Sequence, residues 1–450
     1  MTIDVLSDDV LLYIFNFYRR EFSRYDAIWP WQTLSHVCQR WRHVLLAWPN
    51  HLDLRLDCGS ATAASRALDV WPTLPISIRL IFSRGFPGGD DLISVLEHHS
   101  SRIAGIALEG LTKRQVKRCI ALMQEPIQSL RKICLCCRTD VRDVPVITET
   151  FLGGSAPRLQ VMDLAGIPFP TLPKFLSSTS DLVYLTLENI TRAGYIPPDV
   201  MATCLVMLTR LESCDIIFRF RRSFPNRITR HTPPLTRTIL PALERFVFVG
   251  FSEYSEELIA RIEAPFLTHL HLEFFHQPVF DIPQVPQFTR CIEKFMPPFE
   301  TGVFFLCDAV NVNIFPSTGI YVHLEPQCKG LDRQLSSLEQ IFTQCSSIFS
   351  RVVNLKLSRG IGALQGNQSK SWLRCLRPFN AVKTLDVSDG IQFHIARVLG
   401  ELGEERAAEV LPMLHTLIFH RVHFIHTELI PLLKPFTDAR QQSGRPVAAE

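Results

Sequence analysis

A short apolar pattern recurs along most of the chain and constrains its fold more than any other feature. The pattern consists of an apolar residue, two variable residues, an apolar residue, one variable residue and a final apolar residue. It begins at Ile103, Leu130, Leu159, Leu182, Leu211, Leu243, Leu267, Val352, Val382 and Leu414. Alternation with a period of two is typical of a half-buried β-strand. The sequence therefore predicts a series of short strands, each followed by a segment that returns the chain to the start of the next.

Successive patterns start 23 to 32 residues apart, except for one gap of 85 residues before Val352. Recurrence at this period indicates a repeat protein. The pattern resembles an irregular leucine-rich repeat, which implies strands side by side in a curved parallel sheet. Residues 170–180, 255–263 and 335–347 have the apolar spacing of helices and fit the return path. Runs at 303–306 and 320–324 are strand-like, but the number of repeats between residues 273 and 351 stays open.

An unrelated α/β domain with a parallel sheet is the alternative to this repeat interpretation. Its strands would also be short apolar runs between helices. The patterns here lack the Asn or Cys that follows the strand in the standard leucine-rich motif, which keeps this alternative open.

The first fifty residues instead have the apolar spacing of short amphipathic helices. Ser7 is a plausible N-cap, and Asp8 and Asp9 follow in the first turn, where the helix dipole favours negative charge. The apolar stripe of this first helix consists of Leu11, Ile14, Phe15 and Tyr18. A second stripe consists of Leu34, Val37, Cys38, Trp41, Leu45 and Trp48, and Pro49 ends it. So small a module cannot bury two wide apolar stripes completely, which predicts that a partner covers part of them.

These residues resemble an F-box of the kind found in large fungal families. The resemblance lies in Leu6-Ser7, Leu11 and Ile14-Phe15, followed by Leu34, Val37-Cys38 and Trp41-Arg42. It departs from the usual form in having Ser7 where Pro is common and a longer segment over residues 19–31. The resemblance implies docking to a Skp-type adaptor of a cullin-RING ubiquitin ligase. The adaptor-binding residues that it implies are Leu6, Ser7, Leu11, Ile14, Phe15, Leu34, Val37, Cys38 and Trp41.

The predicted fold class is therefore α/β, with an F-box-like helical module at 1–50 and an irregular leucine-rich-repeat-like solenoid at 51–437. From residue 438 the sequence loses apolar residues, which predicts a flexible tail over 438–450.

Charge and composition narrow the classes of partner and compartment. The chain has 47 basic and 44 acidic side chains, a balance that does not favour nucleic acid or a membrane surface. No signal peptide and no apolar run of membrane-spanning length is evident, so we expect an intracellular protein, cytoplasmic or nuclear. Thirteen scattered cysteines are then expected to be reduced thiols.

No catalytic or cofactor motif is complete, so we expect no enzyme activity, no cofactor and no metal. The glycines in 360–366 miss the spacing of a dinucleotide-binding loop, because Gln365 stands where its third Gly belongs. Histidines crowd residues 415–426, but their spacing places His420, His423 and His426 on no single face of a strand.

A protein substrate is expected to bind the open face of the predicted sheet. In each pattern the fourth and sixth residues point inward, and the third and fifth point outward. The outward candidates are Tyr184, Thr186, Asp215, Arg245, His269, His271, Asn354, Lys356 and Asp386. The predicted function is substrate recognition within a Skp-cullin-F-box ligase. The alternatives are a ligase-independent repeat scaffold, suggested by Ser7 and the long segment after it, and an enzyme whose active-site residues are dispersed.

Overall fold

The computed structural model describes residues 5–22, 30–48, 56–58, 74–81, 100–139, 141, 143–219, 237–275, 281–289, 299–316, 321–359, 369–388, 390–402, 407, 409–420 and 426–449. The chain forms two compact units. The first comprises Met1–Arg142 and Thr150–Leu159, and the second comprises Asp143–Glu149 and Gln160–Glu450. This division lies well after residue 50, and the boundary between a helical module and the repeats stays a prediction.

In its described residues, the first unit contains the N-terminal helices and four parallel strands. Its helices are α1 (Asp8–Phe22), α2 (Pro30–Ser35), α3 (Gln39–Ala47) and α4 (Lys113–Leu122). Its strands are β1 (Leu56–Cys58), β2 (Ile76–Ile81), β3 (Ile103–Leu111) and β4 (Lys132–Cys137). They pair in chain order, all in parallel. The capping box of Thr112 and Gln115 starts α4 directly after β3, so the chain turns back at once from strand to helix.

The second unit alternates strands with helices or loops. Its strands are β5 (Val161–Ala165), β6 (Tyr184–Ile190), β7 (Ser213–Phe218), β8 (Thr238–Ile239), β9 (Arg245–Gly250), β10 (Ile262–Glu263), β11 (His269–Phe274), β12 (Phe299–Phe305), β13 (Val310–Pro316), β14 (Tyr321–Pro326), β15 (Val352–Arg359), β16 (Thr384–Val387), β17 (Thr416–Phe419) and β18 (Ala448–Ala449). Its helices are α5 (Leu172–Leu176), α6 (Pro198–Val206), α7 (Ser252–Ile259), α8 (Val285–Phe288), α9 (Leu331–Gln344), α10 (Ser346–Phe349), α11 (Ser369–Leu376), α12 (Gln392–Gly400) and α13 (His426–Gln442).

At both ends of the sheet in this unit, the strand order confirms the predicted succession of parallel strands. β5, β6, β7, β9 and β11 are neighbours in that order, and so are β15, β16, β17 and β18. Short β8 and β10 pair separately. The predicted return helices are present as α5, α7 and α9. The architecture is thus α/β, with a largely parallel sheet that resembles a leucine-rich repeat.

The gap in the repeat pattern contains a three-strand insertion instead of ordinary repeats. The two strand-like runs in the gap lie in β12 and at β14, but between them lies β13, which the sequence analysis did not predict. β13 is antiparallel to both of its neighbours. The insertion also reverses the spatial order, because β14 pairs with β11 and β12 pairs with β15. The sheet is therefore not parallel throughout.

In-register alignment of the strands builds the core. Leu185, Cys214, Phe246, Leu270 and Val322 occupy one position on five neighbouring strands, and each is buried. The two inward positions of the predicted patterns are buried, as the period of two predicts, except that Phe419 at the end of β17 is half-buried. Among the described residues, no helix has both the length and the hydropathy needed to cross a membrane.

The predicted tail over 438–450 contains secondary structure in its described residues, and its flexibility stays a prediction. Helix α13 continues to Gln442, and Ala448–Ala449 pair with β17 as a further parallel strand. The cause is Arg440, whose side chain is fully buried and donates to the carbonyl oxygens of Pro412 (3.3 Å) and Leu414 (2.9 Å). Its guanidinium also lies over the Phe436 ring at 5.9 Å. A buried arginine therefore holds the end of the chain in place. The polar composition of this segment gave no sign of that, because a charged residue is ordinarily expected at the surface.

We expect Arg440→Ala to lower the free energy of unfolding by about 3 kcal/mol, because charged hydrogen bonds to buried carbonyl groups are lost. Urea denaturation of the full chain, followed by circular dichroism, measures the change. The matched control is Arg445→Ala, five residues further on and exposed, which should change the value by less than about 0.5 kcal/mol. Equal stability of the two variants would contradict a structural role for Arg440.

Candidate interaction surfaces

The first candidate surface belongs to α1, and local sequence explains where this helix begins. The Ser7 hydroxyl accepts a hydrogen bond from the Val10 amide at 3.4 Å, which confirms Ser7 as the N-cap. Asp8 and Asp9 occupy the first turn. The side chain of Tyr18 and residue Pro49, both assigned roles from the sequence, lie outside the described residues.

The three N-terminal helices share a small apolar core. Leu11 and Phe15 of α1 are fully buried, and Leu34 of α2 is nearly so. The Phe15 and Trp41 rings meet edge to face, with centroids 4.9 Å apart. Cys38 separates α2 from α3, and its sulfur accepts from the Trp41 amide at 3.4 Å. Several of the predicted adaptor-binding residues are therefore core or capping residues.

Arg40, which sequence analysis left unassigned, fixes α3 against the start of α1. Its Nη2 atom donates to the Leu6 carbonyl oxygen at 2.5 Å and to Asp8 Oδ1 at 2.8 Å. Arg42 of the same helix donates to the Ser35 carbonyl oxygen at 3.0 Å. A long basic residue off the apolar stripe gives no local signal of such contacts.

The opposite side of α1 carries large apolar side chains in water. Val10, Tyr13, Ile14 and Phe17 follow the i, i+3, i+4, i+7 spacing of one helical face. Their exposed fractions are 44%, 77%, 39% and 62%. We call these four residues the apolar α1 face.

Of the predicted adaptor-binding residues of α1, Ile14 lies on this face, while Leu11 and Phe15 face the core. Val37, after α2, is also exposed. A second stripe at helical spacing was the signal that could have identified Val10, Tyr13 and Phe17.

The second candidate surface is the face of the second unit's sheet that points away from the core, which we call the open face. Pairing of the strands aligns its side chains in two adjacent rows. The first row contains Tyr184, Ser213, Arg245, His269, Tyr321, Phe315, Glu300, Asn354 and Thr384. The second row contains Thr186, Asp215, Val247, His271, His323, Asn313, Gly302, Lys356 and Asp386.

All nine substrate-face candidates lie in these two rows, and a substrate-binding role for them stays a prediction. The members that the insertion supplies were not predicted from the sequence, and they are Tyr321, Phe315, Glu300, His323, Asn313 and Gly302. Their strands carry no repeat pattern, so position along the chain could not assign them to a row. Val247, by contrast, is buried within its row.

A hydrogen-bonded cluster occupies the middle of the open face. His323 Nδ1 lies 2.5 Å from Asn313 Oδ1, which also accepts from the Tyr321 hydroxyl at 3.2 Å. His323 Nε2 lies 3.3 Å from Glu325 Oε2. The His271 ring stacks on the His323 ring, with centroids 4.3 Å apart. These contacts hold the rings and the carboxylate in fixed positions.

Burial shifts the protonation equilibria of this cluster. It lowers the pKa of His271 to about 4, and the neighbouring His323 ring adds to the effect. His271 is therefore neutral at pH 7. Burial also raises the pKa of Glu273, an effect that the hydrogen bond from Gln327 opposes and the nearby Glu325 carboxylate reinforces.

A cavity of about 500 Å³ opens on the same face where the insertion meets β15 and β16. It lies beside Gly302, which contributes no side chain to its row. A Cβ atom there would come within 2.9 Å of the Phe304 ring. Phe304, Phe315 and Ile418 form apolar walls, and the charged side chains in the lining are Glu300, Lys356 and Asp386.

Within the described residues, no group of three or more His, Cys, Asp and Glu side chains is arranged to hold a metal ion. Of the histidines in 415–426, His420 pairs with Asp386 at 3.1 Å, whereas His423 and the glycines of 360–366 lie outside the described residues.

Comparison with known proteins assigns no family to the chain. No family model matches it, and no curated protein is significantly similar to it. Among solved structures, the leucine-rich repeat-containing protein LegL7 from Legionella pneumophila is similar over 87% of this chain and 98% of that one, with 11% identity and a TM-score of 0.25. A likeness that weak supports neither a fold nor a function, so the repeat architecture depends on the strand pairing described above.

The lowered pKa of His271 predicts a stability that depends on pH. The His271 side chain binds a proton near pH 6.5 in the unfolded chain but only near pH 4 in the folded chain. Its contribution to the free energy of unfolding is therefore fully present above pH 6.5 and is lost as the pH decreases towards 4. The midpoint temperature of unfolding is expected to decrease between pH 7 and pH 5, and we expect this decrease to be smaller in His271→Gln. His269→Gln, an exposed position two residues earlier, is the control and should leave that change as in the parent chain.

Proposed function

We propose that this chain is the substrate-recognition subunit of a Skp-cullin-F-box type ubiquitin ligase. In this proposal the apolar α1 face docks the Skp-type adaptor, and the open face of the second unit binds a protein substrate. The observation that carries the proposal is the two-sided character of α1, whose core-facing residues are fully buried while four large apolar residues lie in water.

Exposure of the apolar α1 face to water costs free energy. Contiguous exposed apolar side chains are uncommon on proteins that act alone and mark surfaces that a partner covers. Tyr13 and Phe17 are more than half exposed and lie one turn apart, with Ile14 beside them. Aromatic residues of this kind are frequent anchors in protein interfaces. The F-box resemblance of the surrounding residues supports a Skp-type adaptor as the proposed partner.

The core of the module supports this division of roles. Phe15 packs on Trp41, and Arg40 joins α3 to the start of α1, so the helix is held without using its exposed face. A rigid helix that presents preformed anchors loses little conformational entropy on binding. Leu6, Leu11, Phe15, Leu34, Cys38 and Trp41 then act by holding the helix in position, while Ile14 and Val37 are accessible for direct contact.

The test is co-purification of the full chain with a co-expressed Skp-type adaptor. We expect Tyr13→Asp with Phe17→Asp to weaken adaptor binding by about a hundredfold or more, because two carboxylates would be desolvated in an apolar interface. Leu11→Asp is unsuitable for this purpose, because Leu11 is fully buried and its substitution would disrupt the module itself.

The matched control is Phe266→Asp with Ile430→Asp, two exposed apolar residues of the second unit, with 59% and 61% exposure. This variant should retain the adaptor. Retention by the folded Tyr13/Phe17 variant would contradict docking through the apolar α1 face. Failure of the parent chain to bind any Skp-type adaptor would instead favour the ligase-independent repeat scaffold.

A further inference from the structure

The open face of the second unit has a charge opposite to that of the whole chain. The chain carries a formal net charge of +3. Carboxylates nevertheless outnumber cationic side chains on the outward strand positions, where Asp163, Asp215, Glu273, Glu300, Glu325 and Asp386 are accompanied by Arg245 and Lys356. The electrostatic potential of this face therefore favours a cationic partner over a polyanion.

Internal pairing leaves the excess of carboxylates unchanged but compensates one of the two cations. Arg245 Nε lies 3.5 Å from Asp215 Oδ1, so this cation is already compensated. Glu273 and Glu325 lie directly opposite each other on β11 and β14. Like charges in that arrangement destabilise a sheet. Within the described residues neither of them pairs with a lysine or arginine, so a bound cation would relieve the repulsion.

The cavity beside Gly302 has the shape and chemistry for one long basic side chain. Phe304, Phe315 and Ile418 can cover the methylene groups of a lysine or arginine. The aromatic rings also attract a cation that approaches their faces. Glu300 and Asp386 are the acceptors for its charged head.

Asp386 lines this cavity and has unused acceptor capacity. Its Oδ2 atom lies 3.1 Å from His420 Nε2. Its Oδ1 atom is buried and, in the part of the chain that the structure describes, has no hydrogen-bond partner. An unsatisfied buried carboxylate oxygen is costly, and a donor from a ligand would remove that cost.

Lys356 also lines the cavity, and its charge opposes a cationic ligand. This residue distinguishes two ligand classes, because its removal should strengthen binding of a basic ligand and weaken binding of an acidic one. The two carboxylates in the lining outnumber it, and within the described residues Lys356 itself forms no ion pair with them.

We propose that the open face binds a basic linear segment of a partner protein, with one lysine or arginine side chain inserted beside Gly302 between Glu300 and Asp386. This inference depends on the proposed function for the assignment of that partner as the ligase substrate. Binding of the segment itself does not require the adaptor.

The experiment uses the purified full chain without adaptor and three fluorescent peptides, measured by anisotropy. One peptide alternates arginine and serine, a second has citrulline in place of arginine, and a third has glutamate. We expect the arginine peptide to bind most tightly, with an affinity that decreases as salt is added. Glu300→Gln with Asp386→Asn should raise its Kd by about tenfold, whereas Lys356→Gln should lower its Kd.

The matched control is Glu149→Gln with Asp438→Asn, which removes the same charge from exposed positions off the sheet strands and should leave the Kd unchanged. A second variant, Gly302→Val, fills the cavity without changing charge and should also weaken binding. Circular dichroism and thermal unfolding verify that every variant is folded.

Four results would overturn the proposal, the last of them self-association of the chain. One is equal binding of the arginine and citrulline peptides. Another is an equal increase in the Kd of the arginine peptide for Glu300→Gln with Asp386→Asn and for the control Glu149→Gln with Asp438→Asn. The third is loss of binding in Lys356→Gln together with preference for the glutamate peptide, which would indicate an acidic partner. Self-association of the chain that Glu300→Gln with Asp386→Asn abolishes would identify a second copy as the occupant and would also contradict the proposal. Because none of these measurements involves α1, they fail or succeed independently of the adaptor test.

Discussion

The parallel register of neighbouring strands is the constraint on which the second unit depends. A strand such as β6 buries Leu185 only because Cys214 of β7 and its counterparts on the next strands continue the same layer. No repeat could bury its apolar residues without its neighbours. The same register aligns the alternate side chains in rows on the other face, so packing of the core also determines which residues a partner can meet.

The insertion of β12, β13 and β14 interrupts this regularity and supplies most of the unusual chemistry on the open face. It brings His323 against His271 and places Asn313 and Glu325 beside them. It also introduces Gly302, an unfavourable residue in the interior of a strand, at the edge of a cavity. Local features that cost stability are expected where a protein binds something. The regular strands on either side support this part of the open face.

The N-terminal helices follow a different principle, in which a small core supports an exposed face. Phe15, Trp41 and Arg40 hold α1 with one aromatic contact and a few hydrogen bonds. Because so few residues are needed in the core of these helices, the side chains of Tyr13 and Phe17 remain exposed to solvent and accessible to a partner. A module of this size cannot bury all of its apolar surface by itself, which is a general consequence of the surface-to-volume ratio.

The sequence by itself determined the repeating strands, the start of α1 at Ser7 and the outward direction of residues such as Tyr184 and Lys356, because period and capping are local properties of the chain. Only the tertiary structure decided the reversed order of β12 and β14, the cavity beside Gly302 and the role of Arg440. Those features depend on contacts between residues far apart in sequence, which no local pattern encodes. The two sides of α1 lie between these cases, since the sequence contained both stripes but only packing decided that Leu11 faces the core and Tyr13 faces water.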